Sequence, residues 1–237
     1  FENIPPVGVR YAEEADDFGN ADLIIIPGSK KTIEDLEHLR ETGIEAEIKR
    51  LHAGGTPVFG ICGGYQMLGM SLEDPFRTES NLLKTNGMGL INSRTVFRQK
   101  KVTTQVEAEV CDGRGILEGL QGKKITGYEI HMGETEYLEG CIPYLVIRDA
   151  SFGGKARTDG VRNPEANVFG TYIHGIFDNL DFTAGLVNNL RKKKGLEAVR
   201  NEHADFKSFK EREYDRLSDM LRKHLDMEAI YRIINGE

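Results

Sequence analysis

Two short apolar runs constrain this chain more than any other feature. Asp22-Leu23-Ile24-Ile25-Ile26-Pro27 is β-branched and apolar without polar alternation, and Pro-Gly stops it. Thr56-Pro57-Val58-Phe59-Gly60-Ile61 is similar and runs directly into Cys62-Gly63-Gly64. Such runs suit strands covered on both faces, as in a parallel sheet. Between them, Thr32-Ile33-Glu34-Asp35 gives a capping-box-like helix start, with Asp in place of Glu or Gln. Ile44, Ile48 and Leu51 then share a helical spacing, and Gly63 to Leu68 reads as the next helix. Strand, helix, strand, helix in this rhythm predicts an α/β fold: an open, mostly parallel sheet with right-handed crossovers and flanking helices.

Other segments are read in the same way. Val7 to Tyr11 is expected to form a short strand. From about Gly87 to Ile147 the pattern changes to short alternating runs punctuated by glycines. These are antiparallel strands, either at one edge of the main sheet or in a small second sheet. Asn167 to Ile173 returns to a buried strand. The tail is helical, and Phe206, Phe209, Leu217, Leu221 and Leu225 make one apolar stripe, read as core packing.

Gly60-Ile61-Cys62-Gly63-Gly64 has the spacing of a nucleophile elbow with cysteine at its centre. A strand that turns sharply into a helix strains the central residue and leaves no room for side chains two positions away. The turn lifts the sulfur above the C-terminal end of the sheet, where open α/β folds bind ligands. A helix starting at Gly63 would aim its N–H groups at the sulfur, favouring the thiolate. The Gly63 N–H is then a candidate oxyanion donor. The bland alternatives are a buried structural cysteine or a phosphate-cradling turn. The turn has neither G-x-G-x-x-G spacing nor a Walker lysine. The loop Pro27-Gly28-Ser29-Lys30-Lys31-Thr32 lacks the upstream glycine of a P-loop. It leaves a neighbouring strand end, so it is expected beside Cys62, offering a second N–H near Gly28 or Ser29. Cys111 and Cys141 have no such setting and are read as structural.

A thiolate that attacks an amide needs a proton shuttle. Of six histidines, His38, His52, His203 and His224 lie in charged helical stretches. His174 ends a buried strand in Gly170-Thr171-Tyr172-Ile173-His174-Gly175 and is favoured. His131, in Gly127-Tyr128-Glu129-Ile130-His131-Met132-Gly133, is the competitor.

Composition removes several function classes. The 31 basic and 38 acidic residues give a net charge of -7, which disfavours non-specific binding to nucleic acid or anionic membrane. The run Arg191-Lys192-Lys193-Lys194 is short and reads as a solvated helix face. No apolar stretch approaches membrane-spanning length, and no signal-peptide pattern opens the chain. Three cysteines without C-x-x-C spacing predict no disulfide framework and no metal site. A cytoplasmic setting is expected.

Taken in order, Pro27 to Thr32, Gly60 to Gly69, Gly127 to Gly133 and Gly170 to Asn179 resemble the glutamine amidotransferase domain of the cobyric acid synthase family. The resemblance implies a class I, flavodoxin-like glutaminase fold over residues 1–190. A C-terminal helical extension, 191–237, would pack on it. It implies Cys62 as nucleophile and His174 as its acid and base. Gly28 and Gly63 would line the oxyanion hole, and Gln66 would help fix the substrate glutamine. Ammonia would pass to an ATP- and Mg2+-dependent synthetase domain that acts on a corrinoid acceptor and is absent from this chain. No cofactor is implied in the domain itself. Ordinary class I triads carry Glu two residues after the histidine; Ile176 stands there, as in this family's branch, and Glu129 or Asp178 can only be guessed at as the orienting acid. Two alternatives share parts of the pattern: a glutaminase subunit that serves a peptidoglycan-precursor ligase, and a cysteine-elbow hydrolase. The stretch from Tyr128 to Gly133 argues against the first. Substrate separates the second, free glutamine against peptide. A non-catalytic domain that keeps the fold is a further reading, against which Cys62 and His174 stand intact.

Overall fold

The two apolar runs lie side by side. In the computed structural model, which describes residues 1–2, 4–148, 156–199 and 206–236, β1 (Ile24–Ile26) pairs in parallel with β2 (Val58–Ile61). β9 (Val168–Thr171) pairs in parallel on the other side of β2. Helices α1 (Thr32–Glu41) and α2 (Ile44–Ala53) make the crossover from β1 to β2.

Side-chain alternation explains why these strands carry no polar face. Val58 and Val168 face a core shared with Ile33, Leu36, Ile48 and Leu51 of the crossover helices. Phe59 and Phe169 face a second core, with Phe182 and Leu186 of α4 (Leu180–Lys193). Successive strand residues point to opposite faces, and here both faces are covered. Burying each such Phe, Leu or Val contributes roughly 1.5–3 kcal/mol.

The middle of the chain extends this same sheet instead of building a separate one. β3 (Ser71–Glu73), β4 (Lys84–Asn86), β5 (Ser93–Val110), β7 (Ile142–Arg148) and β8 (Ala156–Arg162) complete the order β1-β2-β9-β8-β7-β5-β3-β4. β6 (Lys124–Tyr137) leaves this path. It forms a long hairpin with β5 and pairs with the two-residue β10 (Ile173–His174). The sheet is therefore mixed. Parallel pairing is confined to β1–β2–β9 and β3–β5, and the other described pairs are antiparallel. The parallel pairs have the long crossovers that such pairing needs, through α1 and α2 for β1–β2 and through β4 for β3–β5.

Two local readings are corrected. Val7 to Tyr11 forms no strand. Its alternation is that of a strand, but it has no neighbour to pair with, and Val9 and Tyr11 are exposed. Thr32 is not the cap of α1. The cap position is Lys31, and Thr32 is the first helical residue, turned into the core. Its hydroxyl donates to Gln66 Oε1 at 3.3 Å, a tertiary partner that outweighs the local capping bond.

The chain divides into two units, Phe1–Val199 and Arg200–Glu237. All of α4 belongs to the first. The basic run at its end is tied to distant parts of the same unit, with Lys194 paired to Asp22 and Lys192 to Glu118. The second unit holds α5 (Phe206–His224) and α6 (Met227–Asn235), the latter capped by Asp226, which accepts the Ala229 N–H at 3.0 Å. The stripe expected as core is exposed at Leu217, Leu221 and Leu225. The side chains of Phe206 and Phe209 fall outside the described residues.

Helix α3 (Gly63–Met67) leaves β2 so close to β1 that glycine is required. A Cβ at Gly64 would lie 2.1 Å from the Ile26 carbonyl oxygen, and one at Gly60 would lie 2.7 Å from Tyr65 Cα. Backbone on both sides cannot yield cheaply. Gly64→Ala is expected to cost at least about 3 kcal/mol of stability or to prevent folding. Gly8→Ala, whose Cβ would meet nothing within 4 Å, is expected to change stability by less than about 0.5 kcal/mol. Chemical denaturation of the two variants measures the contrast.

Candidate active site

Cys62 sits at the point where β2 becomes α3, with φ 51° and ψ -110°. A positive φ in a residue with a side chain is strained, and such strain persists only where the surroundings fix it. Here three backbone bonds do so. The Cys62 N–H donates to the Thr171 carbonyl at 2.8 Å, the Gly64 N–H to Pro27 at 3.0 Å, and the Gln66 N–H to the Cys62 carbonyl at 3.0 Å. α3 has only five residues, so any dipole at the sulfur comes from one turn of helix and not from a long one.

The loop after β1 lies against this elbow. A Cβ at Gly28 would sit 3.0 Å from His174 Cε1 and 3.6 Å from Cys62 Cβ. A Cβ at Gly63 would sit 2.7 Å from the Ser29 nitrogen. Gly28 thus lies against both the cysteine and the histidine, and the start of α3 at Gly63 lies against the backbone of Ser29. His174 is delivered by β10, opposite Tyr128 on β6. Burial holds its imidazole below the ordinary histidine range, while the Ile130 carbonyl beside it works in the opposite direction. Its Nε2 is shielded from solvent and has no hydrogen-bond partner among the described residues.

The stretch from Gly127 to Gly133 roofs the site. Cys62 Sγ donates to the Ile130 carbonyl at 3.3 Å. Both terminal glycines permit close approach: a Cβ at Gly127 would lie 2.3 Å from the His174 carbonyl oxygen, and one at Gly133 would lie 2.5 Å from Gln66 Nε2. His131 is close by but engaged elsewhere. Its ring stacks on Tyr172 with centroids 4.0 Å apart, and its Nδ1 lies 2.8 Å from the Gly133 carbonyl oxygen. Burial lowers its pKa as well.

Gln66 is buried beneath the elbow. Its Oε1 accepts from Thr32, and its Nε2 donates to the Tyr172 hydroxyl at 3.2 Å. That hydroxyl also meets Thr135 Oγ1 at 2.5 Å. The amide of Gln66 thus links α1, α3 and the Tyr172 corner. Glu129 is buried and forms a two-bonded ion pair with Arg157 of β8. Ile176 is fully buried in the apolar cluster behind β10, a position that suits no carboxylate. A Cβ at Gly175 would lie 3.5 Å from Asp178 Oδ2, which places that carboxylate in the turn after His174. Cys111 and Cys141 lie apart from the elbow, and burial pushes both thiols up, away from the thiolate.

Several residues of this arrangement had no part in the sequence reading. Tyr172 lies inside a motif that was singled out for its histidine. The Ile130 carbonyl has no side-chain signature at all. Thr171, in the same motif, was given no role, and Asp159, to which it bonds below the elbow, was not noticed.

Solved structures share this sheet and its helices. "Crystal structure of glutamine amidotransferase" aligns over 80% of this chain and 88% of its own, with TM-score 0.51 at 18% identity. "Structure of PurLQS from Thermotoga maritima" aligns over 78% and 84%, with TM-score 0.52 at 20% identity. The fold is that of the class I glutamine amidotransferases, and the cysteine elbow stands at the sheet end where that fold carries its ligand sites. More narrowly, residues 1–182 match the model of the CobB/CobQ-like glutamine amidotransferase domain, and the chain belongs to that family. Curated relatives agree. It is 46% identical over 233 residues to the cobyric acid synthase of Streptococcus sanguinis strain SK36, covering 98% of this chain and 45% of that protein. It is 46% identical over 228 residues to the cobyric acid synthase of Clostridium tetani, covering 96% and 44%. The chain thus spans somewhat less than half the length of these relatives.

Gly28 gives a direct check on the geometry. Gly28→Ala is expected to fold, because the added methyl meets the edge of a side-chain ring and not backbone. It should displace His174 from Cys62 and slow glutamine-dependent chemistry at Cys62 by roughly 100-fold, the scale of a misplaced catalytic group. Circular dichroism and the rate of Cys62 alkylation measure the two halves of that expectation.

Proposed function

We propose that this chain is the glutaminase module of a cobyric acid synthase. It would supply ammonia for ATP- and Mg2+-dependent amidation of side-chain carboxylates of adenosylcobyrinic acid a,c-diamide in cobalamin biosynthesis. The observation that carries the reading is the convergence of Cys62 and His174 on Gly28, where a single added Cβ would lie within 4 Å of both side chains. A side chain there would press on the His174 ring.

The chemistry follows from the residues present. His174, whose pKa burial lowers and so favours the neutral, proton-accepting form, accepts the Cys62 proton. The thiolate attacks the side-chain carbonyl carbon of glutamine. The resulting oxyanion is met by the Gly63 N–H and by an N–H of the Gly28–Ser29 loop. His174 then protonates the departing nitrogen, and ammonia leaves a glutamyl thioester on Cys62. Water, deprotonated by His174, hydrolyses the thioester and returns the thiol. Gln66 supports the site from below in this account; its amide already bridges Thr32 and Tyr172 and so shapes the floor. The synthetase steps would belong to the part of the longer protein that this chain does not span. The three thiols fit a reducing, cytoplasmic setting.

A glutamine-analogue diazo-ketone tests the reading. One adduct on Cys62, blocked by excess glutamine, is expected, and Cys62→Ser should lose both the adduct and glutamine hydrolysis while remaining folded. His174→Ala should slow the reaction by at least about 100-fold, the usual contribution of a positioned base. If His131→Ala slows it instead and His174→Ala does not, the assignment of the base is wrong.

A further inference from the structure

The junction between β9 and β10 carries both halves of the Cys62–His174 pair. The Thr171 carbonyl accepts the Cys62 N–H at 2.8 Å. Three residues on, the same strand end delivers His174. Thr171 pairs with Ile61 of β2 and Ile173 with Glu129 of β6, but on the β8 side the junction is not held by strand pairing. β8 pairs with β9 only at Val161–Gly170 and Arg162–Phe169 and then parts from it. The pairing stops at Gly160, whose φ is +68°. A side chain would be strained at that φ, and a Cβ would also press on Tyr144 at 2.9 Å.

Asp159 lies where that pairing stops. Its side chain is 2% exposed, and it accepts the Thr171 hydroxyl and the Tyr172 N–H, the latter at 3.3 Å. Thr171 Oγ1 in turn accepts the Ile173 N–H at 3.1 Å. One carboxylate and one hydroxyl therefore take the backbone N–H groups of two successive residues that would otherwise be orphaned inside the protein. The neighbouring Arg157 of β8 is paired with Glu129 of β6, so β8 braces β6, whose Tyr128 faces His174, as well as the corner. No such brace comes from position 176, where Ile is buried in apolar surroundings.

We infer that Asp159, acting through Thr171, is the residue that positions His174 against Cys62, a role that rests on the Cys62–His174 reading above. Asp159 touches neither reacting group. It fixes the backbone from which one of them projects and against which the other is hydrogen-bonded.

The test uses the full chain and the diazo-ketone label, read as a saturating inactivation rate and a half-saturating concentration. Thr171→Val keeps the shape of the side chain and removes the hydroxyl. It is expected to lower the saturating rate roughly 100-fold and to leave the half-saturating concentration within about threefold, because the glutamine pocket is untouched. Thr171→Ser restores the hydroxyl and should return the rate to within a few-fold of the original. Asp159→Asn, with one acceptor in place of two, should fall between them, and it carries the comparison if Thr171→Val does not fold. Equal saturating rates across these folded variants overturn the inference, and so does a loss confined to the half-saturating concentration. An original chain that leaves Cys62 unlabelled, or labelling that is indifferent to His174→Ala, instead sinks the Cys62–His174 reading and this inference with it.

Discussion

The contact on which this structure depends is the approach of the Cys62 elbow to the end of β1. With Gly64 lacking a side chain, its Cα can lie against the Ile26 carbonyl, and its N–H bonds to Pro27. That closeness sets the angle at which α3 leaves the sheet, and so sets the positive φ of Cys62. It also seats the Gly28 loop against both Cys62 and His174. A strained cysteine, a bare glycine and a histidine on a short strand are not three separate features. They follow from one pair of backbones being allowed to touch.

Beneath the elbow the interior is polar, and its groups answer one another. Gln66 bridges Thr32 and Tyr172, and the Tyr172 hydroxyl reaches Thr135. The Tyr172 ring lies between His131, stacked on it, and Tyr65, edge-on. Buried hydrogen bonds of this kind add little net stability when made and cost much when broken. They specify one arrangement of α1, α3 and the β9–β10 corner, which an apolar floor of the same volume would leave less sharply defined. Histidines with nearby sequence signatures also divide here by environment: His131 is locked into the floor, and His174 lies against the Gly28 loop.

How much of this could be read from the chain varied with the range of the forces. The elbow was legible because its sterics are local; Gly60, Cys62 and Gly64 declare it within five residues. The β1, β2 and β9 runs were legible because two covered faces leave no polar alternation. Val7 to Tyr11 misled because alternation reports a strand-like pattern and says nothing of a partner. Thr32 misled because its partner is 34 positions away. The antiparallel character of the middle was legible in its short alternating runs, and what stayed open was whether they extended the main sheet or built a second one; the pairing of β5 with β3 and β7 shows the former. The Ile130 carbonyl could not be found by any reading of residue types, since every residue has one. Asp159-Gly160, as a dipeptide, speaks first of a tight turn, and only the neighbouring strand shows what the carboxylate bonds.

The β5–β6 hairpin has one irregularity, a shift of register between Phe97 and Val102. Above it, Ser93 to Phe97 pair with Gly133 to Tyr137, and Arg94 to Val96 pair also with β3. Below it, Val102 to Glu109 pair with the part of β6 that roofs Cys62. A strand that slips by one residue turns every carbonyl and side chain to the wrong side, so a continuous ladder would transmit any change near β3 straight to the Ile130 carbonyl over the thiol. The break acts as an expansion joint. The outer edge of the sheet can gain, lose or reshape residues while the roof of the site keeps its parity.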